Sequence, residues 1–273
     1  MRGQRVPRLE WSAMKEDSAR ISEFFDEMSV GRDENLEGDP IMRYEQEQRQ
    51  KRVLSMLGSI RETSVLDIGC GNARDLTELA SVNRYVVGVD ISKGMLRDGQ
   101  RKVREIGLED RVDLVLASAT NLPFKSNSFQ AGICSEVIEH IPDYGKAIDE
   151  AARVLEEKGV IVFSTPNWLS MYGIWRYILE HTFQRHDPGQ HPWDVWKSKS
   201  ILVASLKKAG LEPLITRGAC YIPSHLSYFL PNPMKKILVS IVSRVEEPLS
   251  SHLDWAGYVI VASATKRRHA ENP

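Results

Sequence analysis

Residues 64–76 read SVLDIGCGNARDL, an apolar β-rich run that ends in a glycine-bearing turn and passes into a helical stretch. Glycines at Gly69 and Gly71 let the backbone approach a ligand closely, and the helix that follows presents free N–H groups. Working outward, the same texture repeats. Short β-rich runs (YVVGVD, VDLVL, QAGIC, VIVFST) alternate with helical stretches at 73–81, 92–106 and 143–157. In the last of these, Ala147, Ile148, Ala151, Val154 and Leu155 form an apolar stripe, and Gly159 is the expected stop. Strands apolar on both faces and separated by helices pack as a parallel sheet covered on both sides, a doubly wound α/β domain.

The loop is not a dinucleotide fingerprint. Arg74 stands where the third glycine of GxGxxG is required. Asp67, just ahead of the loop, puts a carboxylate where a pyrophosphate would be repelled, and a cationic amino group suits it better. Asp90 ends the second β-rich run, 23 residues after Asp67. An acid there accepts hydrogen bonds from ribose hydroxyls; as a purely structural residue it would sit at a helix N-terminus beside Ser92. The pocket therefore reads as suited to a nucleoside with a cationic tail.

Four segments, VLDIGCGNARDL (65–76), VGVDIS (87–92), ASATNLPFKSNSFQAGICSEVIEHIPD (117–143) and RVLEEKGVIVFSTPN (153–167), together resemble the class I S-adenosylmethionine-dependent methyltransferases. The resemblance implies a seven-stranded, mostly parallel Rossmann-like sheet whose last strand is antiparallel. It implies S-adenosyl-L-methionine as cofactor, with Asp67, Gly69 and Gly71 at the methionine part. Asp90 would hold the ribose, and Ile91, Ser118, Ala119 and Thr120 would lie at the adenine. Ser135 and Glu136 would line the sulfonium and the acceptor entrance. Many relatives carry an acid where Ser118 stands; a hydroxyl there bonds the adenine amino group less strongly than a carboxylate.

Methyl transfer needs a nucleophile held in line with the sulfonium, and a hydroxyl acceptor gains from a base. The side chains available for that work are Glu139, His140, His181, His186 and His191, of which His140 and His186 are the catalytic candidates. The aromatic stretch 167–196 holds seven of the chain's 21 aromatic residues. Trp168, Tyr172, Trp175 and Leu179 fall at helical spacing, which fits either a lid over an apolar acceptor or a helix packed on the core. With GACYIP further on, this region loosely resembles the corresponding part of ubiquinone-biosynthesis O-methyltransferases. The resemblance implies a small-molecule acceptor, a hydroxyl oxygen of an apolar, quinone-like or lipid-like compound.

The organisation expected is an N-terminal helical cover at 1–58, then a methyltransferase domain at 59–273 with a substrate-side helical cap inserted at about 167–198. Two late strands joined by a long excursion suggest an antiparallel edge. Between them, MKKILVSIVSR (234–244) gathers Ile237, Leu238, Ile241 and Val245 beside Lys235, Lys236 and Arg244. Packing in the core or a dimer is the main expectation for this helix, with peripheral membrane contact as the alternative.

Composition limits the rest. With 36 Lys plus Arg against 37 Asp plus Glu, the chain lacks the positive excess that nucleic-acid binding exploits. Three scattered cysteines, no signal-peptide core and no long apolar run fit a reducing, cytoplasmic setting. No metal-ligand spacing is evident, and the oligomeric state is left open. A nicotinamide-dependent oxidoreductase is disfavoured by Arg74 and Asp67. A non-catalytic cofactor-binding protein would retain the loop and lack acceptor chemistry.

Overall fold

In a computed structural model, residues 11–29, 38–58, 64–81, 85–183, 194–222, 226–227 and 229–267 are described. Seven strands, β1 (Ser64–Ile68), β2 (Tyr85–Asp90), β3 (Val112–Leu116), β4 (Phe129–Ser135), β5 (Leu155–Pro166), β6 (Leu211–Ala219) and β7 (Val259–Lys266), form one sheet in the order β3-β2-β1-β4-β5-β7-β6. Strands β1 to β5 are mutually parallel, and β7 runs antiparallel to both β5 and β6. The order reverses at β1, whose neighbours are β2 and β4. A crevice opens at such a switch point, beyond the carboxyl ends of the strands.

The helices are α1 (Trp11–Met28), α2 (Pro40–Leu57), α3 (Arg74–Ser81), α4 (Lys93–Glu105), α5 (Tyr144–Val154), α6 (Met171–Phe183), α7 (Lys199–Lys208), α8 (Asn232–Val242) and α9 (Glu246–His252). Two apolar layers flank the sheet. One gathers Leu66, Ile68, Ile148, Phe163, Leu202 and Ile260; the other gathers Val53, Leu57, Val65, Leu76, Val86 and Val261. Because β1 contributes Leu66 and Ile68 to one layer and Val65 to the other, its side chains alternate between faces while residues 65–68 all remain buried.

One sequence expectation is corrected. The α5 helix ends at Val154, and β5 begins at Leu155 instead of after Gly159. Leu155 pairs with Phe129, and the register shifts before Val160 pairs with Ala131. Lys158, at a left-handed φ of 62°, and Gly159 absorb the irregularity within the strand. The two late strands do form the antiparallel edge expected of them, with β7 inserted between β5 and β6 and β6 outermost. Pro213, with a register shift before Ile215, interrupts that outer strand, a feature that discourages edge-to-edge pairing.

Candidate cofactor and acceptor site

The turn after β1 is built by backbone geometry. Gly69 and Gly71 adopt left-handed φ of 75° and 52°. The Gly69 and Cys70 N–H groups donate to the Val89 carbonyl at 2.7 and 3.0 Å, and the Gly71 N–H donates to Asp90 Oδ2 at 2.8 Å. A Cβ at Gly69 would stand 2.3 Å from Val137 Cγ2, so this glycine is required by packing as well as by φ. At Gly71 nothing lies within 4 Å of the missing Cβ, and the residue lines a cavity. The two glycines serve different ends.

That cavity is lined by Asp67, Gly69, Gly71, Asp90, Ile91, Ser118, Ala119, Thr120, Ser135 and Glu136, the ten residues expected at a cofactor, and also by His140. Asp67 is 2% exposed, and its Oδ2 has no hydrogen-bond partner. Burial, with the charges of Asp75 and Asp90 adding to it, pushes its carboxyl well above the usual range; Arg49 pulls the other way. A carboxylate so placed is suited to a cationic ligand group.

Arg49, on α2, enters the cavity from the helical cover. Its guanidinium donates to Ser135 Oγ and stands 3.7 Å from Asp75 Oδ2. The sequence reading assigned no site residue to this cover. A signal was present: Arg49 shares the i, i+4, i+8 face of the buried Val53 and Leu57. A buried guanidinium amid carboxylates supplies the fixed positive charge that an acidic group of a ligand would need.

The α1 helix roofs the opposite side with Ser18, Ile21 and Phe25. Ser22 Oγ donates to the Ile91 carbonyl at 3.0 Å, and Asp26 Oδ1 accepts from Ser92 Oγ and the Gly94 N–H. A Cβ at Gly94 would fall 2.6 Å from Ser29 Oγ, so the close seating of α1 depends on that glycine. Beneath the roof, Asp90 Oδ1 caps the Ser92 N–H at 2.8 Å, while Ser118 Oγ and Thr120 Oγ1 lie 2.9 Å apart. Both readings of Asp90, pocket lining and helix-start acid, are thus geometrically compatible.

At the end of β4, Glu136 takes a left-handed φ of 57° that turns the chain back over the sheet. Its N–H donates to Ser164 Oγ, and its Oε1 accepts from the same hydroxyl at 3.0 Å. Burial raises the Glu136 carboxyl to about 6, against the pull of Arg49 and Ser164. Glu139 is 1% exposed, its Oε2 is unpartnered, and burial and the Glu136 charge push its carboxyl well above the usual range. It is not among the residues that line the cavity, but its Oε1 stands 3.9 Å from Nε2 of His140, which is. Phe25 meets the His140 ring edge-on at 5.4 Å between centroids.

The aromatic stretch does not form one helical face. Trp168 precedes α6; it and Tyr172 pack on Trp196 at 5.6 and 5.5 Å, with Tyr258 closing the group. Arg176 lies over the Trp196 ring at 4.5 Å and pairs with Asp194, which also accepts from Trp196 Nε1. The next residue, Val195, donates its N–H to the Glu139 carbonyl, so this cluster buttresses the loop after β4. Trp168, Tyr172 and Trp175 do not line the cavity, and Trp175 is half exposed. The candidate base His186 lies outside the described residues, as does His191, and the side chain of His181 is not described. Among the described residues no cluster of three metal-ligating side chains occurs.

The Methyltransferase domain family matches residues 66–163. A ubiquinone biosynthesis O-methyltransferase of Bordetella avium is 28% identical over 185 residues, 67% of this chain and 76% of that protein. A demethylmenaquinone methyltransferase of Clavibacter sepedonicus is 39% identical over 105 residues, 37% of this chain and 42% of that protein. Among solved structures, a geranyl diphosphate methyltransferase bound to GPP and sinefungin aligns with a TM-score of 0.64 and 16% identity, covering 92% of this chain and 99% of that one. A SAM-dependent methyltransferase of Thermotoga maritima aligns with a TM-score of 0.62 and 18% identity, covering 90% of this chain and all of that one.

Proposed function

We propose that this chain, a class I S-adenosylmethionine-dependent methyltransferase, methylates a hydroxyl oxygen of an apolar, quinone-like or lipid-like small molecule. The observation that carries the reading is the common cavity. Ten residues from four strand ends line it, and one of them, Asp67, keeps a buried carboxylate oxygen without a partner. S-adenosyl-L-methionine, when bound, supplies an electrophilic methyl group on a sulfonium.

The residues divide the ligand among them by charge. Asp67 faces the amino group and Arg49 the carboxylate of the methionine part, with Gly69 and Gly71 supplying backbone contact. Asp90 accepts from the ribose hydroxyls. Ile91 and the Ser118, Ala119 and Thr120 segment flank the adenine, and the Ser118 hydroxyl can accept from its amino group. Ser135 and Glu136 stand at the sulfonium, where a carboxylate stabilises positive charge. His140 accepts the proton that the acceptor hydroxyl gives up. The α1 roof excludes water from the reacting centre.

The oxygen acceptor is supported by the Bordetella relative, whose name specifies an O-methyltransferase of ubiquinone biosynthesis. The test is incubation with methyl-labelled cofactor and a lipid extract, followed by identification of the labelled product. A labelled methyl ether of an apolar compound is the expected outcome. Label on nitrogen or carbon would overturn the oxygen assignment, and affinity for a nicotinamide dinucleotide without affinity for S-adenosyl-L-methionine would overturn the whole reading.

A further inference from the structure

The α8 helix is held by its inner face. Leu238, Val239 and Val242 pack on Ile41, Tyr44 and Ile222, and buried Lys235 pairs with Asp39, the N-cap residue of α2. Its outer face carries Met234, Ile237 and Ile241, continued by Val245, at exposures of 45–61%. At about 100° per residue Met234, Ile237 and Ile241 fall within a narrow arc, one apolar row along the helix, and Val245 follows in the turn beyond its end. Among the described residues the fold leaves this row uncovered. It also splits the apolar set seen in the sequence, burying part of Leu238 while Ile237, Ile241 and Val245 point outward.

Charge identifies what covers it. No Asp or Glu occurs between residues 226 and 245. Two exposed cations lie nearby: Lys236, about a quarter-turn round the helix from Ile237, and Arg244, just past the helix end. The nearest acids downstream are engaged elsewhere: Glu246 is buried against Tyr44, and Glu247 pairs with Arg52. A two-fold dimer through this face would oppose the same cations on both copies. An anionic lipid surface instead accepts the apolar row below its headgroups and the cations among them.

Position adds a reason. The α8–α9 excursion leaves the sheet at the end of β6 and returns at the start of β7. Val259, the first residue of β7, pairs with Pro166 at the carboxyl end of β5, the edge along which the cavity opens. The helix is therefore rooted on the side from which an acceptor arrives.

We propose that the outer face of α8, with Ile237 and Ile241 at its centre and Lys236 and Arg244 beside it, docks the enzyme on anionic bilayer surfaces. The inference needs no particular acceptor. The test is sedimentation of the full chain with vesicles of phosphatidylcholine, with and without phosphatidylglycerol, at low and high salt. Binding is expected with phosphatidylglycerol, weaker at high salt. Ile237→Asp with Ile241→Asp abolishes it, and Lys236→Glu with Arg244→Glu lowers it roughly tenfold or more. Melting temperature and cofactor affinity serve as folding controls and stay unchanged. Failure of the wild type to sediment overturns the proposal, and so does binding that survives these substitutions. Light scattering that shows a wild-type dimer and a monomeric Ile237→Asp/Ile241→Asp variant overturns it in favour of a second copy.

Discussion

Asp26 Oδ1 accepts a hydrogen bond from Ser92 Oγ at 2.6 Å, tying the roof helix α1 to the start of α4, one residue beyond the pocket-lining Ile91. The same oxygen accepts from the Gly94 N–H at 2.7 Å. Residues 66 and 68 sequence positions apart are thereby joined next to the pocket-lining Ile91. Closure of the site thus depends on a polar latch.

Asp26→Ala is expected to loosen α1 and speed cofactor release. Loss of two hydrogen bonds made by a charged group, at about 1.5–3 kcal/mol each when fully formed, allows a tenfold or larger rise in Kd even after solvent replaces part of it. Stopped-flow dissociation and limited proteolysis of α1 check this. Unaltered release with α1 equally protected would show that the latch is redundant.

The loop glycines are expected to fail differently. Gly69→Ala drives its Cβ into Val137 and keeps an unfavourable φ, so the melting temperature falls and binding falls with it. Gly71→Ala carries only the left-handed cost, about 1–2 kcal/mol, and projects its methyl into open space beside the cavity. It should stay folded and lose cofactor affinity selectively. Thermal melting beside calorimetric titration separates the two.

Asp90→Ala removes the acceptor of the Gly71 and Ser92 N–H groups as well as the proposed ribose partner. Calorimetric titration should give at least roughly a tenfold loss of cofactor affinity, with some loss of stability. A folded variant with wild-type affinity would remove Asp90 from the cofactor site.

The Glu136 carboxyl is raised by burial to about 6. A folded-state pKa above the unfolded value of about 4.3 means that the native protein holds this proton more tightly. Its contribution to stability is therefore fully present below the unfolded pKa and is lost as pH rises through about 6. Glu136→Gln should melt above wild type near neutral pH, by no more than roughly 2 kcal/mol, and the gap should close toward acid pH. Cofactor binding, which places a sulfonium beside this group, should release a proton near pH 6; calorimetry in buffers of different ionisation enthalpy reads it.

Trp196 is 4% exposed and Trp175 is 50% exposed. Trp196→Ala should cost about 3–5 kcal/mol, because Trp168, Tyr172, Tyr258 and Arg176 all lean on that ring. Trp175→Ala should leave the melting temperature nearly unchanged. Equal melting losses in the two variants would contradict this division of the aromatic stretch.

The alternation of apolar runs with amphipathic helices, the two loop glycines and the acids Asp67 and Asp90 were legible in the chain, because each is a local requirement. A buried parallel strand must be apolar on both faces. A strand-to-helix turn at positive φ favours glycine, and an acid at a strand end needs only its own strand to reach the crevice. What the linear order left open depended on contacts between distant segments. Arg49 and Phe25 enter the site only because α1 and α2 fold back over the carboxyl edge of the sheet. Trp168 and Tyr172 turned inward to Trp196 and Tyr258, since the rings that complete their packing lie up to 86 residues away. The place of β7 between β5 and β6, and the choice of which face of α8 is buried, followed from long-range pairing and from the Lys235–Asp39 contact. Periodicity shows that a helix has an apolar side; only its neighbours determine how much of that side they cover.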